Sequence, residues 1–150
     1  MFLLIMRHGD ALPNSSIDFD RLLSPLGEEQ GTEAGEAIKR YGVDIQHIFC
    51  SPLPRAKKTA ELVAATACSV ISVETWHELA PGAECEIITA KLGSQDGALI
   101  VTHQPFAGRM VFYLTGEEIG MSTGTVACIQ AESLDQLSCE LKWLIPELPS

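Results

Sequence analysis

Three positions in this sequence carry side chains suited to phosphoryl chemistry, and each comes just after a short apolar run. They are Arg7-His8, Arg55 and His103. Guanidiniums can chelate phosphoryl oxygens through their fixed forks of donors, and clustered cations and imidazoles stabilise the charge that spreads over those oxygens during transfer. An imidazole can also attack phosphorus, and nearby arginine charge would keep His8 neutral and nucleophilic. These residue types predict a phosphoryl-transfer site in which His8 is the nucleophile.

The elements that would position these side chains follow from hydrophobic periodicity. Predicted strands lie at 2–6, 45–50, 70–73, 98–101, 125–130 and 137–143, and predicted helices at 25–41, 55–67, 85–92 and 107–114. Strands that alternate with helices predict a three-layer α/β/α sandwich with a mostly parallel central sheet. The last two strands predict a C-terminal antiparallel hairpin near a sheet edge.

Ligands of open α/β sheets bind beyond the carboxyl ends of the strands, which is where the three predicted strand ends place their His and Arg residues. The polar segment 10–23 is predicted to be a surface loop that contributes to this site. Gly9 would let the backbone approach the ligand closely. Gly27, Gly31 and Gly35 recur every fourth residue in the first helix, and we expect them to let that helix approach the sheet.

The residues around these positions resemble the histidine phosphatase superfamily, which is phosphoglycerate mutase-like in fold. The matching runs are MRHGD at 6–10, SPLPRAKKTA at 51–60 and VTHQP at 101–105. Within that superfamily the chain resembles the SixA-type phosphohistidine phosphatases. The runs that carry this resemblance are RHGDA at 7–11, RLLSPLG at 21–27 and ELAP at 78–81.

The resemblance implies a function for each matched position. His8 would be the nucleophile of a covalent phospho-His8 intermediate that water hydrolyses, and Arg7, Arg55 and His103 would form the phosphate pocket. Arg21 and Ser51 would lie at the rim of that pocket or behind it. The resemblance implies an enzyme that is independent of metals and uses no cofactor.

The general acid is an open question at the level of sequence. Many superfamily members use a glutamate in the loop after the third strand, and Glu78 stands near that place. It could equally be an ordinary surface residue of the loop. The leaving imidazole of phosphohistidine has an ordinary pKa near 6.5, whereas an alkoxide is far more basic and needs protonation. A site without an acid would therefore favour P–N over P–O substrates.

Bulk composition narrows the class of protein. The chain has 150 residues, which predicts a single domain spanning 1–150, and a formal net charge of −10, which disfavours a nucleic-acid partner. The first apolar run has no cationic residues before it, so we expect no signal peptide and a cytoplasmic location. No apolar run approaches 18 residues, so no membrane association is expected. The five cysteines form no Cys-x-x-Cys pair, which disfavours a zinc site.

Three functions are compatible with these features of the sequence. The first is hydrolysis of phosphohistidine on a signalling protein such as a histidine-containing phosphotransfer domain, favoured because the sequence has few inserted segments to cover a pocket. The second is a small-molecule phosphomonoesterase or phosphoglycerate-mutase-like enzyme, which would need Glu78 as acid. The third is a non-catalytic module that binds phosphorylated proteins, which would not need His8.

Overall fold

The chain folds into a six-stranded mixed sheet with two helices on each face. A computed structural model describes residues 1–13, 15–67 and 70–146. The strands are Phe2–Arg7 (β1), His47–Cys50 (β2), Val73–Thr75 (β3), Ala98–Thr102 (β4), Val126–Gln130 (β5) and Glu140–Ile145 (β6). The helices are Pro25–Tyr41 (α1), Pro54–Ala67 (α2), Cys85–Leu92 (α3) and Phe106–Thr115 (α4), with short 3₁₀ helices at Asp18–Asp20 and His77–Leu79.

The strand order is β3-β2-β4-β1-β5-β6. The pairs β3–β2, β2–β4 and β4–β1 are parallel, whereas β1–β5 and β5–β6 are antiparallel. The predicted sandwich with a mostly parallel sheet and a C-terminal antiparallel pair at one edge is therefore confirmed. In this order β2, β4 and β1 lie side by side at the centre, so their carboxyl ends share one edge of the sheet.

Two hydrophobic cores form because successive side chains of a strand point to opposite faces of a sheet. Leu3 and Ile5 of β1 pack in the core beneath α3 and α4, whereas Leu4 and Met6 pack in the core beneath α1 and α2. Because both faces of the central strands are covered, these strands read as continuous apolar runs in the sequence.

The ends of α1 lie where the sequence predicted them. The Gly27 N–H donates to Ser24 Oγ at 3.0 Å, which caps the first turn, and Pro25 occupies the first helical position. Gly42 ends the helix in the left-handed region at φ 75°. Within the described residues, none of the helices is long and apolar enough to cross a membrane.

The three largest differences from the sequence prediction concern β3, β6 and the glycines of α1. The third strand is Val73–Thr75 rather than 70–73, because Val70 is 91% exposed and the pairing with β2 begins at Val73. The last strand is Glu140–Ile145 rather than 137–143, because Leu137 adopts a positive φ in the preceding turn.

The third difference concerns the glycines of α1, which face helix and loop rather than the sheet. A Cβ at Gly31 would lie 3.1 Å from the Leu62 side chain, and one at Gly35 would lie 2.7 Å from Thr66 Cβ. Both neighbours belong to α2. The glycine row therefore allows α1 and α2 to pack closely against each other.

Candidate active site

The predicted site residues converge because three neighbouring parallel strands end at one edge of the sheet. His8 follows β1, His103 follows β4, and Arg55 lies in the first turn of α2, shortly after β2. The ring centroids of His8 and His103 are 5.0 Å apart, and Arg55 Nε lies 3.4 Å from His8 Nε2. Residues separated by some 50 positions in the sequence thus meet at a single point.

The geometry around His8 assigns its tautomer. His8 Nδ1 lies 2.7 Å from the carbonyl oxygen of Gly9, and a carbonyl can only accept, so Nδ1 carries the proton. The Arg55 Nε–H donates toward His8 Nε2, which is consistent with a lone pair on that nitrogen. Nε2 is therefore the atom of His8 that is available as a nucleophile.

Three guanidiniums line the same cavity as His8. Arg7 Nη1 donates to the carbonyl of Met121 at 3.1 Å, and its Nε is shielded from solvent without a hydrogen-bond partner in the described structure. Arg55 donates through Nη1 to the Asp18 carbonyl at 2.8 Å and through Nη2 to Asp18 Oδ2 at 3.2 Å. Arg21 also pairs with Asp18, 3.2 Å between Nη1 and Oδ1. The cavity is therefore rich in donors that suit anionic oxygens.

A hydrogen bond to Ser51 holds the His103 ring in place. His103 Nε2 lies 2.7 Å from Ser51 Oγ, and both residues are buried. Ser51 Oγ also accepts the Leu53 N–H at 3.2 Å. His103 Nδ1 is shielded and has no partner among the described residues. Ser51 therefore fixes the orientation of the His103 ring and lies behind it, whereas Arg21 lines the cavity directly.

Both histidines are held in the neutral form. Burial, together with the charges of Arg55, Arg7 and Arg21, lowers the pKa of His8 to about 4, despite the bond to the Gly9 carbonyl. Burial, the neighbouring His8 and the Arg55 charge lower the pKa of His103 to about 3. At neutral pH both imidazoles are uncharged, as a nucleophile and a hydrogen-bond partner of fixed tautomer require.

The cavity has a volume of about 350 Å³. Its lining residues are Arg7, His8, Asp10, Ala11, Asp18, Arg21, Arg55, Pro81, His103, Gln104 and Thr123. Four of them belong to the segment 10–23, so that loop contributes to the site as predicted. The segment is held in place by main-chain hydrogen bonds between Leu12 and Leu22 and between Asp10 and Ser24.

Glu78 is not among the residues that line this cavity. It lies in the 3₁₀ helix His77–Leu79, where Leu79 is buried and Glu78 is exposed. Its Oε2 accepts from Lys91 Nζ at 2.8 Å, and this hydrogen bond lowers the pKa of the carboxyl. In this position Glu78 is an ionised carboxylate paired with a lysine, and its general-acid role stays a prediction.

Gly9 makes its close contact with the backbone of another segment of the protein, whereas the sequence predicted a close contact with a ligand. Its N–H donates to Thr59 Oγ1 at 3.0 Å, and a Cβ at this position would lie 2.6 Å from the Gly27 carbonyl oxygen. Asp10 bonds the first helix in the same region, since its Oδ2 accepts from Ser24 Oγ at 2.6 Å. The backbone that follows His8 is therefore packed against the beginning of α1.

Asp18 and Thr59 also contact the site residues, although no sequence motif pointed to them. Thr59 Oγ1 donates to the Arg55 carbonyl at 2.7 Å while it accepts from Gly9, so it links the arginine helix to the histidine loop. Its spacing of four from Arg55 places both on one helix face, which is a signal that could have identified it. Asp18 carries no such local signal.

The chain is similar in sequence and in structure to known histidine phosphatases. A family model described as histidine phosphatase superfamily (branch 1) matches residues 3–96. The chain is 30% identical over 142 residues to the phosphohistidine phosphatase SixA of Escherichia coli (strain K12), covering 91% of this chain and 87% of that protein. A structure of the protein histidine phosphatase SixA complexed with tungstate superposes with a TM-score of 0.86 and 27% identity over 96% of both chains.

A shorter match extends to a much larger protein. The chain is 36% identical over 62 residues to the mitochondrial serine/threonine-protein phosphatase PGAM5 of Xenopus tropicalis. That match covers 41% of this chain and only 22% of PGAM5. The similarity to SixA therefore extends over nearly the whole chain, whereas the similarity to PGAM5 is confined to one segment.

Proposed function

Because this chain belongs to the histidine phosphatase superfamily, branch 1, we propose that it is a phosphohistidine phosphatase that forms a phospho-His8 intermediate. His8 Nε2 attacks phosphorus and an Nε2–P bond forms, while the P–N bond to the substrate imidazole breaks. The substrate ring carries a proton on its other nitrogen, so it leaves as neutral imidazole. Water then attacks the phosphorus of phospho-His8, which releases inorganic phosphate and regenerates His8. The tautomer that the Gly9 carbonyl imposes leaves the attacking lone pair on Nε2.

Hydrogen-bond donors around the cavity can bind the transferred phosphoryl group. Arg7 and Arg55 can chelate its equatorial oxygens and stabilise their charge during transfer. Because Ser51 Oγ already accepts from Leu53, its own proton can be donated to His103 Nε2, which leaves a proton on His103 Nδ1. That Nδ1–H and the Arg7 Nε–H are shielded donors that a phosphoryl oxygen would satisfy.

The hydrogen bonds and ion pairs of the nearby carboxylates favour phosphohistidine as the substrate. Among the described residues that line the cavity, the carboxylates are Asp10 and Asp18. Asp10 accepts from Ser24, and hydrogen bonding to Arg21 and the charge of Arg55 lower the pKa of Asp18. The lowered pKa keeps Asp18 ionised, and an ionised carboxylate cannot protonate a leaving group. A substrate imidazole that is protonated on its other nitrogen leaves as the neutral ring, whose conjugate acid has a pKa near 6.5, so it needs no further acid, whereas an alkoxide does.

The substrate and mechanism are tested by comparing wild type and His8→Ala on a phosphorylated phosphotransfer domain, p-nitrophenyl phosphate and 3-phosphoglycerate. We expect wild type to prefer phosphohistidine over 3-phosphoglycerate by about 100-fold in kcat/KM, which is what a missing general acid costs on a phosphoester with a basic leaving group. The leaving group of p-nitrophenyl phosphate is weakly basic and needs no acid, so this substrate reports on His8 alone. His8→Ala should lose about 1000-fold or more. His77→Ala, which removes an exposed histidine, is the control and should match wild type.

Two further results discriminate among the alternatives. A denatured phosphoenzyme that is labile in acid and stable in base, and that does not form in His8→Ala, identifies phospho-His8. Faster turnover of phosphoglycerate than of phosphohistidine, together with a loss of about 100-fold in Glu78→Gln, would establish the phosphoester reaction with Glu78 as its acid. Full activity of His8→Ala would exclude the covalent mechanism.

A further inference from the structure

Exposed apolar side chains are concentrated in the segment that forms one wall of the catalytic cavity. Five of the exposed large hydrophobic residues in the described structure lie between positions 12 and 26, and they are Leu12, Ile17, Phe19, Leu22 and Leu26. The others are scattered along the chain between positions 41 and 137. Leu12 and Leu22 line one groove together, and exposed apolar residues gathered on one surface segment are typical of a protein interaction site.

A groove of about 450 Å³ lies directly behind this wall. Leu12, Leu22 and Pro54 line the groove, and the adjacent residues Ala11, Arg21 and Arg55 line the catalytic cavity. The two depressions are therefore separated by a single layer of chain. A protein that presents a phosphoryl group to His8 would have its neighbouring surface over this apolar wall.

The charges of this face differ from those of the rest of the molecule. The groove and the cavity together are lined by five of the ten basic residues of the chain but by only four of its twenty acidic residues. The remaining sequence carries five basic and sixteen acidic residues. An acidic partner would be repelled by most of this enzyme but not by this face.

Two lysines of the groove are available to such a partner. Lys57 and Lys58 are exposed neighbours on α2, and no described residue forms an ion pair with either of them. The acidic residues of the groove are Glu28 and Glu61, which also lack ion pairs within the described ranges. A carboxylate of a docked protein can therefore pair with Lys57 or Lys58 without displacing an existing partner.

We propose that the groove and the apolar wall, from Leu12 to Leu26 and across to Lys57 and Lys58, form the docking surface for the phosphoprotein substrate. The partner surface around the phosphohistidine would carry apolar side chains for Phe19 and Leu22 and at least one carboxylate for the lysines. This inference rests on the proposed function. It adds that the enzyme recognises the protein around the phosphohistidine as well as the phosphoryl group.

The test compares two substrates for each variant: free phosphohistidine and a histidine-containing phosphotransfer domain phosphorylated with phosphoramidate. The measured quantity is kcat/KM for the phosphoprotein divided by kcat/KM for free phosphohistidine. For Phe19→Ser/Leu22→Ser we expect this ratio to fall by about tenfold, mainly through KM. For Lys57→Glu/Lys58→Glu we expect a similar fall that shrinks at high salt.

Each variant has a matched control elsewhere on the surface. Phe112→Ser removes an aromatic side chain that is 47% exposed, as Phe19 is. Lys39→Glu/Arg40→Glu reverses two adjacent exposed cations on α1. Both controls should leave the ratio within about twofold of wild type. The ratio also corrects for any variant that is partly misfolded, because misfolded enzyme is lost from both reactions.

Several outcomes would overturn the docking surface. One is an unchanged ratio in both groove variants, and another is an equal loss in the controls, which would indicate a general effect of charge or of surface hydrophobicity. A wild-type dimer that Phe19→Ser/Leu22→Ser converts to a monomer in light scattering would mean that a second copy covers the wall. Wild type that hydrolyses neither substrate would instead refute the proposed function, and the docking surface with it.

Discussion

At the scale of single residues, Asp18 is the side chain whose position has the most direct chemical consequence. Its carboxylate lies 3.2 Å from both Arg55 Nη2 and Arg21 Nη1, and its carbonyl accepts from Arg55 Nη1. A phosphoryl group needs the same guanidinium donors. A bound substrate must therefore displace Asp18 or share Arg55 with it, and the Asp18 charge opposes an incoming anion.

This placement predicts that Asp18→Asn binds inorganic phosphate more tightly. Because the Asp18 side chain is 69% exposed, water weakens its ion pairs, and we expect a gain of roughly three- to tenfold in affinity. The measurement is the inhibition constant of phosphate, or its dissociation constant by calorimetry. Asp20→Asn removes the same charge from the same 3₁₀ helix and should change little. Weaker binding by Asp18→Asn would instead show that Asp18 orients Arg55 for the substrate.

At the scale of elements, the site depends on how closely α1 packs against the loop that follows β1. A Cβ added to Gly27 would collide with the Asp10 carbonyl oxygen, and one added to Gly9 would collide with the Gly27 carbonyl. This contact of two backbones holds the loop beside His8. It also explains why the first turn of α1 tolerates a residue of low helix propensity.

Gly27→Ala should therefore destabilise the protein by about 1–3 kcal/mol, as overpacking does at a rigid contact. It should also lower kcat, because the displaced segment carries the Gly9 carbonyl that orients His8. Urea unfolding and turnover of phosphohistidine measure the two effects. Gly120→Ala is the control, since a Cβ there meets no atom within 4 Å, and it should lie within about 0.5 kcal/mol of wild type. Equal stabilities of the two variants would contradict the close contact.

At the scale of the whole molecule, burying two neutral histidines beside arginines links folding to pH. The folded-state pKa values of His8 and His103 are about 4 and about 3, whereas the unfolded chain binds these protons near pH 6.5. Between these values the unfolded state holds more protons than the folded state. The free energy of unfolding is therefore unaffected by these groups above about pH 7 and falls as the pH drops through 6.5 toward 4.

Comparing wild type with His103→Gln isolates this effect from the many carboxylates. Removing one depressed histidine should make the fall in unfolding free energy between pH 6.5 and 4.5 shallower, whatever the stability of the variant at pH 7. Denaturant unfolding at a series of pH values provides the slopes. Parallel slopes for the two proteins would mean that His103 is protonated in the folded state.

The local features of this protein can be predicted from its amino-acid sequence alone. The strands, the capped ends of α1 and the placement of His8, Arg55 and His103 after apolar runs follow from periodicity and turn chemistry, which act over a few residues. The parallel arrangement of the central strands followed from their alternation with helices. Together with the motifs of the superfamily, these features were enough to predict the sandwich and the edge of the sheet where the site residues meet.

Which atoms meet at the site depends on tertiary packing, because those contacts join segments that are distant in the chain. They include the contact of Arg55 with Asp18, the bond between His103 and Ser51, and the packing of Gly27 against Asp10. The start of β3 was likewise decided by its pairing with β2. Local sequence patterns determine which element carries a side chain, whereas the packing of distant elements determines its partners. In this protein those partners determine which histidine nitrogen carries a proton, the charge beside the arginines and whether a phosphoryl group can reach them.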